Sequence, residues 1–305
     1  MSDPLITRRL TKYYGTKCVV NRLDLRVPAG CVYGLLGRNG AGKSTLIKML
    51  MGMVHPDAGE VEVLGYPAAE LPSAERARVA YVAENHPLYN WMTVGEAVRF
   101  TEAFYPHWNG RLVEQILDHF ELSRTQKLRR LSNGQRAQVS LALAVAPEPE
   151  LLVLDDPTLG LDTVVRRDFL ESLIHIIQRQ GRTILFSSHI LGDVERVADR
   201  IGVMEGGVLR ADCPTDHFRE SVRRVVAAFR GAPPDWPGGG KVVSWRHVGP
   251  TLELVMVGYD DAQRQQVEAL EPANIEVFDL NLEDAFIEYT RGHKRSLPDF
   301  SASSL

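Results

Sequence analysis

The residues Gly37-Arg38-Asn39-Gly40-Ala41-Gly42-Lys43-Ser44 combine glycines, a lysine and a hydroxyl in the spacing G-x-x-x-x-G-K-[ST]. Glycines let a backbone curl until successive N–H groups point at phosphate oxygens, and a following helix adds the positive end of its dipole. Lys43 is placed to neutralise the β- and γ-phosphates of a nucleotide, and the Ser44 hydroxyl to ligate Mg²⁺. Asn39, Gly40, Ala41 and Thr45 complete the set expected to surround the phosphates. A second constellation is Leu151-Leu152-Val153-Leu154-Asp155-Asp156. An apolar strand ending in acid places a carboxylate at the carboxyl edge of a parallel sheet, where ligands sit in open α/β folds. Asp155 is then suited to hold Mg²⁺, directly or through water. Asp156, one residue on, faces differently and could orient an attacking water.

The elements around these residues read as an α/β core. Strands are expected at Val19–Val27, Cys31–Leu36 and Glu60–Leu64, with a helix over Gly42–Met51 between the last two. Val79–Ala83 is another strand, followed by helical patterns at Thr93–Tyr105, Arg111–Phe120 and Ser132–Ala146. Thr93 and Glu96 form a capping box, in which hydroxyl and carboxylate satisfy the first free backbone N–H groups. Alternation then resumes: strand Leu151–Leu154, helix Thr163–Gln180, strand Thr183–Ser187, helix Ile190–Ala198, strand Ile201–Met204 and a turn at Glu205-Gly206-Gly207. The reading is one α/β domain over residues 1–220 with a helical insertion at about 86–147. A Pro/Gly loop, Gly231 to Gly240, marks a change of composition. Around it, strands Arg223–Phe229, Lys241–His247, Thr251–Val257 and Asn274–Phe278 alternate with helices Asp261–Leu270 and Leu282–Thr290. They make a small α+β domain over 221–292, and 293–305 reads as a disordered tail.

Composition narrows the class. The 305 residues are 44% hydrophobic and 24% charged, ordinary for a globular chain with a buried core. A net charge of -4 offers no global attraction to nucleic acid or anionic membrane. Cys18, Cys31 and Cys213 show no metal spacing and read as reduced thiols. The first residues lack an apolar signal core, and no apolar stretch approaches the roughly 20 residues needed to cross a bilayer.

Several motifs occur in one order: the phosphate loop, Leu131-Ser132-Asn133-Gly134-Gln135, the strand ending in Asp155, Pro157-Thr158-Leu159-Gly160-Leu161-Asp162, and Ser187-Ser188-His189. Together they resemble the nucleotide-binding subunit of ATP-binding-cassette (ABC) transporters over about residues 5–220. The resemblance implies a P-loop nucleoside-triphosphatase fold with an antiparallel β subdomain and a helical subdomain. It implies ATP and Mg²⁺ as cofactors. Tyr14 falls where the family stacks an aromatic ring on adenine, and His189 where it contacts and senses the γ-phosphate. Ser132, Gly134 and Gln135 open a helix whose N–H groups suit an anion. In the family that helix, with the loop carrying Asp162, closes over ATP held by a second subunit, so a homodimer or a dimer with a related ATPase is implied.

This sequence departs from the family at three places. Asp156 stands where Glu is usual, on a stem one methylene shorter, which implies slow but real hydrolysis. Glu84, in Tyr81-Val82-Ala83-Glu84, stands where Gln is common and adds negative charge beside the phosphates and Mg²⁺. Asn133 replaces a Gly. The family further implies a separate transmembrane permease, with Tyr89, Trp91 and Met92 in the groove that receives its helix. The ending Leu282-Glu283-Asp284-Ala285-Phe286 resembles bacterial drug and antibiotic exporter ATPases. The expectation is therefore an exporter's ATPase, peripheral on the cytoplasmic face of the cell membrane, with no nucleic acid partner. The alternatives are an importer ATPase, or a non-transport ABC ATPase acting on nucleic acid or ribosomes.

Overall fold

A computed structural model of the chain describes residues 3–178, 181–238, 242–280 and 282–291. The expected tail at 293–305 and the last residues of the helix expected to reach Gln180 lie outside the described residues. The chain divides into two compact units, Met1–Thr215 and Asp216–Leu305.

The first unit contains β1 (Leu5–Tyr14), β2 (Lys17–Val27), β3 (Val32–Leu36), β4 (Ala58–Val63) and β5 (Tyr66–Pro67). It continues with β6 (Val79–Val82), β7 (Leu151–Leu154), β8 (Thr183–Ser188), β9 (Arg200–Glu205) and β10 (Val208–Pro214). An antiparallel sheet takes the order β2-β1-β4-β5, and a six-stranded sheet the order β10-β9-β3-β8-β7-β6. In the larger sheet β9, β3, β8, β7 and β6 are parallel, and β10 closes one edge antiparallel. Its central strands β3, β7 and β8 are buried along their whole length. That is why β3, β7 and the Ile184–Phe186 centre of β8 read as continuous apolar runs rather than alternating patterns.

Strand β1 escapes sequence reading. Its pairing with β2 is interrupted by register shifts after Thr7, Leu10 and Lys12, and Arg9 has a φ of 47°. Each bulge breaks the two-residue alternation that marks a half-buried strand.

The helix after the phosphate loop, Lys43–Leu50, joins the two sheets. Leu46, Ile47, Met49 and Leu50 pack in one cluster with Leu5, Leu10, Leu23 and Val63 from the antiparallel sheet. Leu35, Val153 and Leu185 of the parallel sheet belong to the same cluster. Truncating Ile47, which is fully buried, would leave a cavity costing about 2–5 kcal/mol.

Helices Val94–Glu102, Gly110–His119 and Asn133–Val145 surround a second core of Val94, Val98, Val113, Leu117, Leu128 and Val139. The expected capping box is present: Glu96 donates its N–H to Thr93 Oγ1 at 3.1 Å, and Thr93 donates its N–H to Glu96 Oε2 at 2.6 Å. The second unit carries a four-stranded antiparallel sheet in the order β12 (Val242–Val248), β13 (Thr251–Val257), β11 (Val222–Ala228), β14 (Asn274–Asp279). Val225, Leu252, Leu254 and Met256 from that sheet pack with Val267 of helix Asp261–Glu268. Among the described residues no helix is long and apolar enough to cross a membrane.

Candidate active site

The site sits where β3, β7 and β8 end. The strand order places β3 beside β8 and β8 beside β7, so the loop after Leu36 faces the residues after Leu154 and Phe186. The loop has the shape its glycines predict. Gly40 and Gly42 have φ of 82° and 106°, backbone angles that a side chain disfavours. A Cβ on Gly42 would lie 2.5 Å from Val19 O, and one on Gly37 2.6 Å from Met204 O, so neither position tolerates a side chain.

Lys43 is buried, and its Nζ donates to Gly37 O at 2.7 Å, bending the ammonium back over the loop. Burial pushes the Lys43 pKa down, while Asp156, Asp155 and Glu84 pull it back up. An ammonium in that balance is ready for a polyanion. Ser44 Oγ donates to Asp155 Oδ1 at 3.0 Å, and Ser187 Oγ donates to the same oxygen at 2.9 Å. Ser187 Oγ also accepts the Asp156 backbone N–H at 2.9 Å, so one hydroxyl braces the Asp155 carboxylate and the Asp156 main chain.

Asp156 is only 7% exposed, and its φ of 45° is left-handed although Pro157 follows. A residue before proline prefers extended backbone, and a non-glycine residue held left-handed costs about 1–3 kcal/mol. Such strain persists where surrounding contacts over-determine it. His189 donates Nδ1–H to Asp156 Oδ2 at 2.8 Å, while Oδ1 is buried without a hydrogen-bond partner. A buried carboxylate oxygen left bare is costly unless a ligand or water meets it.

The remaining expected residues fall in three places. Glu84 is exposed, and its charge is felt at Lys43. Tyr14 is half exposed, with Lys12 Nζ 5.8 Å from its ring centroid. The hydrogen bonds of the Ser132 group organise its own helix end and none reaches the phosphate loop. Ser132 Oγ accepts the Gln135 N–H at 3.2 Å, and Gln135 Oε1 accepts the Ser132 N–H at 3.1 Å. A Cβ on Gly134 would lie 2.5 Å from Val165 Cγ1. Asp162 Oδ1 accepts the N–H groups of Val164 and Val165 at 3.0 Å each, capping the helix Thr163–Gln178.

Sequence reasoning assigned no role to Ser187, which lies two residues from His189, nor to buried Asp193. Asp193 accepts from Thr158 Oγ1 at 2.6 Å and pairs with Arg166 at 3.3 Å, tying down the loop after Asp156. Ser187 stands in the Ser187-Ser188-His189 motif, which drew attention only to the histidine, and Asp193 has no local motif that would reveal it. Of the expected groove residues, Tyr89 and Trp91 are exposed, whereas Met92 is buried in the helical core. Met92 still lines one wall of a groove of about 380 Å³, together with Tyr81, His86, Tyr89, Phe100 and Leu143.

The donor set fits a nucleotide with Mg²⁺. Ser44, Asp155 and Glu84 present hard oxygens, and Lys43 and the glycine cradle present positive potential. Among the described residues no cluster of His, Cys, Asp or Glu could hold a metal alone. Mg²⁺ bound by one or two protein ligands together with phosphates needs no such cluster.

A glycine cradle and lysine beneath a parallel sheet, with a carboxylate pair at the strand ends and a capped LSNGQ helix in a separate helical subdomain, define a P-loop ATPase of the ATP-binding-cassette class. Residues 20–159 match the ABC transporter family. The bacitracin transport ATP-binding protein BcrA of Bacillus licheniformis is 33% identical over 74% of this chain and 74% of its own length. The Nod factor export ATP-binding protein I of Rhizobium etli is 32% identical over 92% of this chain and 91% of its own length. A solved ATP-binding subunit of an ABC transporter superposes with a TM-score of 0.64 at 30% identity, covering 71% of this chain and 92% of that one. The chain belongs to the ABC transporter family, as an ATP-binding subunit related to exporter ATPases.

Proposed function

We propose that this chain hydrolyses MgATP as one half of a closing dimer and thereby drives a separate permease that exports its cargo. The observation that carries this reading is the cluster at the strand ends. Ser44 and Asp155 share a hydrogen bond, and the Asp156–His189 pair lies one residue further along. Lys43 and the N–H groups from Gly37 to Thr45 bind the β- and γ-phosphates, and the Tyr14 ring takes the adenine. Ser44 and Asp155, with Glu84 across the site, would hold Mg²⁺. The ion supplies charge neutralisation between the phosphates.

Asp156 orients the attacking water through its bare Oδ1, while His189 fixes its other oxygen and senses the γ-phosphate. The Asp stem is short for this task, so turnover is slow. Ser132, Gly134 and Gln135 make no hydrogen bond to their own loop and present an N-terminal helix end suited to anion. They complete the site of a second subunit, with Asp162 beside them. ATP binding therefore closes two chains together, and hydrolysis reopens them. The exposed aromatics beside the groove, Tyr89, Trp91 and Phe100, receive a short helix of the permease. On this reading the chain works peripherally, at the cytoplasmic face of the membrane. The name of the Nod factor export protein supports export over import.

The test is affinity purification of the chain from solubilised membranes of its source cells. A multi-span protein recovered in a fixed ratio, with ATPase activity lost on Lys43→Ala, is expected. Recovery with nucleic acid or ribosomes instead would replace this reading.

A further inference from the structure

We propose that His86 is a positioning residue for Asp156, its imidazole holding the Pro157 carbonyl and so fixing the loop that aims the carboxylate. The inference rests on the reading above, in which Asp156 orients the water. His86 lies two residues after Glu84, and its side chain reaches 71 positions along the chain: Nε2 is 3.0 Å from Pro157 O. That carbonyl belongs to the residue directly after Asp156. A left-handed Asp156 followed by proline is a conformation the chain would leave if unsupported. The imidazole braces it from one side, and Ser187 Oγ braces the Asp156 N–H from another.

Three further observations separate a strut from a space-filler. The ring is 3% exposed, yet its Nδ1 is buried with no hydrogen-bond partner. Burying a bare polar nitrogen is unfavourable, so an apolar ring would fill this space at lower cost. The imidazole is accounted for by the bond its other nitrogen makes. His86 is also left-handed, with φ 45° ahead of Pro87, so its own backbone is held in a disfavoured state. Its holder is Arg136 of the LSNGQ helix, which donates to His86 O at 3.3 Å and, through its other terminal nitrogen, to Leu128 O at 3.0 Å. Finally, His86 forms part of the wall of the aromatic groove. One residue thus touches the groove, the helix that Ser132 caps and the strand-end loop. An occupant of the groove that displaces His86 would move Asp156 without touching it.

The experiment compares His86→Phe, which fills the space without a donor, with His86→Gln, whose amide reaches about as far as Nε2. Steady-state MgATP hydrolysis is expected to show kcat of His86→Phe lower by about tenfold or more, with KM within about twofold of wild type. His86→Gln is expected to recover kcat to within about threefold. A Phe variant with wild-type kcat, a Gln variant as slow as Phe, or a loss confined to KM would each overturn the proposal. Should His86→Phe fail to fold, ¹⁵N spectra of the wild-type imidazoles decide, the His86 signals being those absent from His86→Gln. A proton on Nε2 supports the strut; a bare Nε2 overturns it. A wild-type chain without ATPase activity would instead count against the proposed function, and the imidazole spectra would still read the bond.

Discussion

Lengthening the Asp156 side chain by one methylene tests the central geometric argument directly. Asp156→Glu carries the carboxylate outward by roughly 1 Å, the scale on which misplacement of a reacting group changes rates by about a hundredfold. If the short stem limits the reaction, kcat should rise by about 10–100-fold, equivalent to about 1.4–2.7 kcal/mol of barrier. The opposing effect is crowding. Asp156 is 7% exposed, and overpacking a buried site costs about 1–3 kcal/mol. The two effects read on different observables, because crowding lowers the melting temperature while reach alters kcat. The direction of relief is also visible. The His189 side chain against Asp156 Oδ2 is 30% exposed, so the longer stem can displace it toward solvent. The assay is phosphate release under saturating MgATP, with nucleotide affinity measured separately by a fluorescent analogue. Asp156→Asn serves as the control, preserving shape while removing the base, and should lose about 10²–10⁴-fold in rate. Unchanged or lower kcat for Asp156→Glu, with affinity intact and the Asn control inactive, refutes the claim that stem length limits turnover.

Three other outcomes follow from the same structure. Glu84→Gln removes a carboxylate whose repulsion of the phosphates Mg²⁺ must screen, so the Mg²⁺ concentration for half-maximal ATPase should fall; an unaltered titration sinks the idea. Ser132→Ala removes the hydroxyl that accepts the Gln135 N–H, costing about 1 kcal/mol of stability. It should lower the melting temperature by about 2–4 °C, yet abolish most ATP turnover well below that temperature; retained turnover refutes closure by the partner's helix. Burial pushes the Cys31 thiol up to about 11. At pH 8 only about one thiol in a thousand is then ionised, and alkylation should run on the order of a hundredfold slower than for a free thiol. Rapid stoichiometric labelling of Cys31 in the folded chain would contradict that burial.

Much of the site was legible because its parts are contiguous. The loop from Gly37 to Ser44 encodes its own curvature through residues that need positive φ or leave no room for a Cβ, and those demands are local. The capping pair Thr93–Glu96 was equally readable, since three residues span one helical turn. Strand β1 was not, because its bulges remove the alternation by which a strand announces itself. Met92 lines the groove from within the helical core while its neighbours Tyr89 and Trp91 are exposed, and only packing tells which side chain of a short loop turns inward.

From the residues alone came the class of chemistry: a glycine loop suited to a triphosphate, a hydroxyl and a carboxylate suited to Mg²⁺, and an ordered set of motifs that share one family. Each rests on interactions within a few positions of chain. The tertiary structure decided which of these groups meet. Ser44 reaches Asp155 across 111 positions, His86 reaches Pro157 across 71, and His189 reaches Asp156 across 33. Those meetings depend on strand order, with β3 inserted beside β8 and β8 beside β7, and parallel strands connected by long crossovers leave no local trace of their neighbours. The left-handed backbone at His86 and Asp156 was hidden for the same reason. Local preference before proline is for extended chain, and only long-range contacts hold these two residues against it.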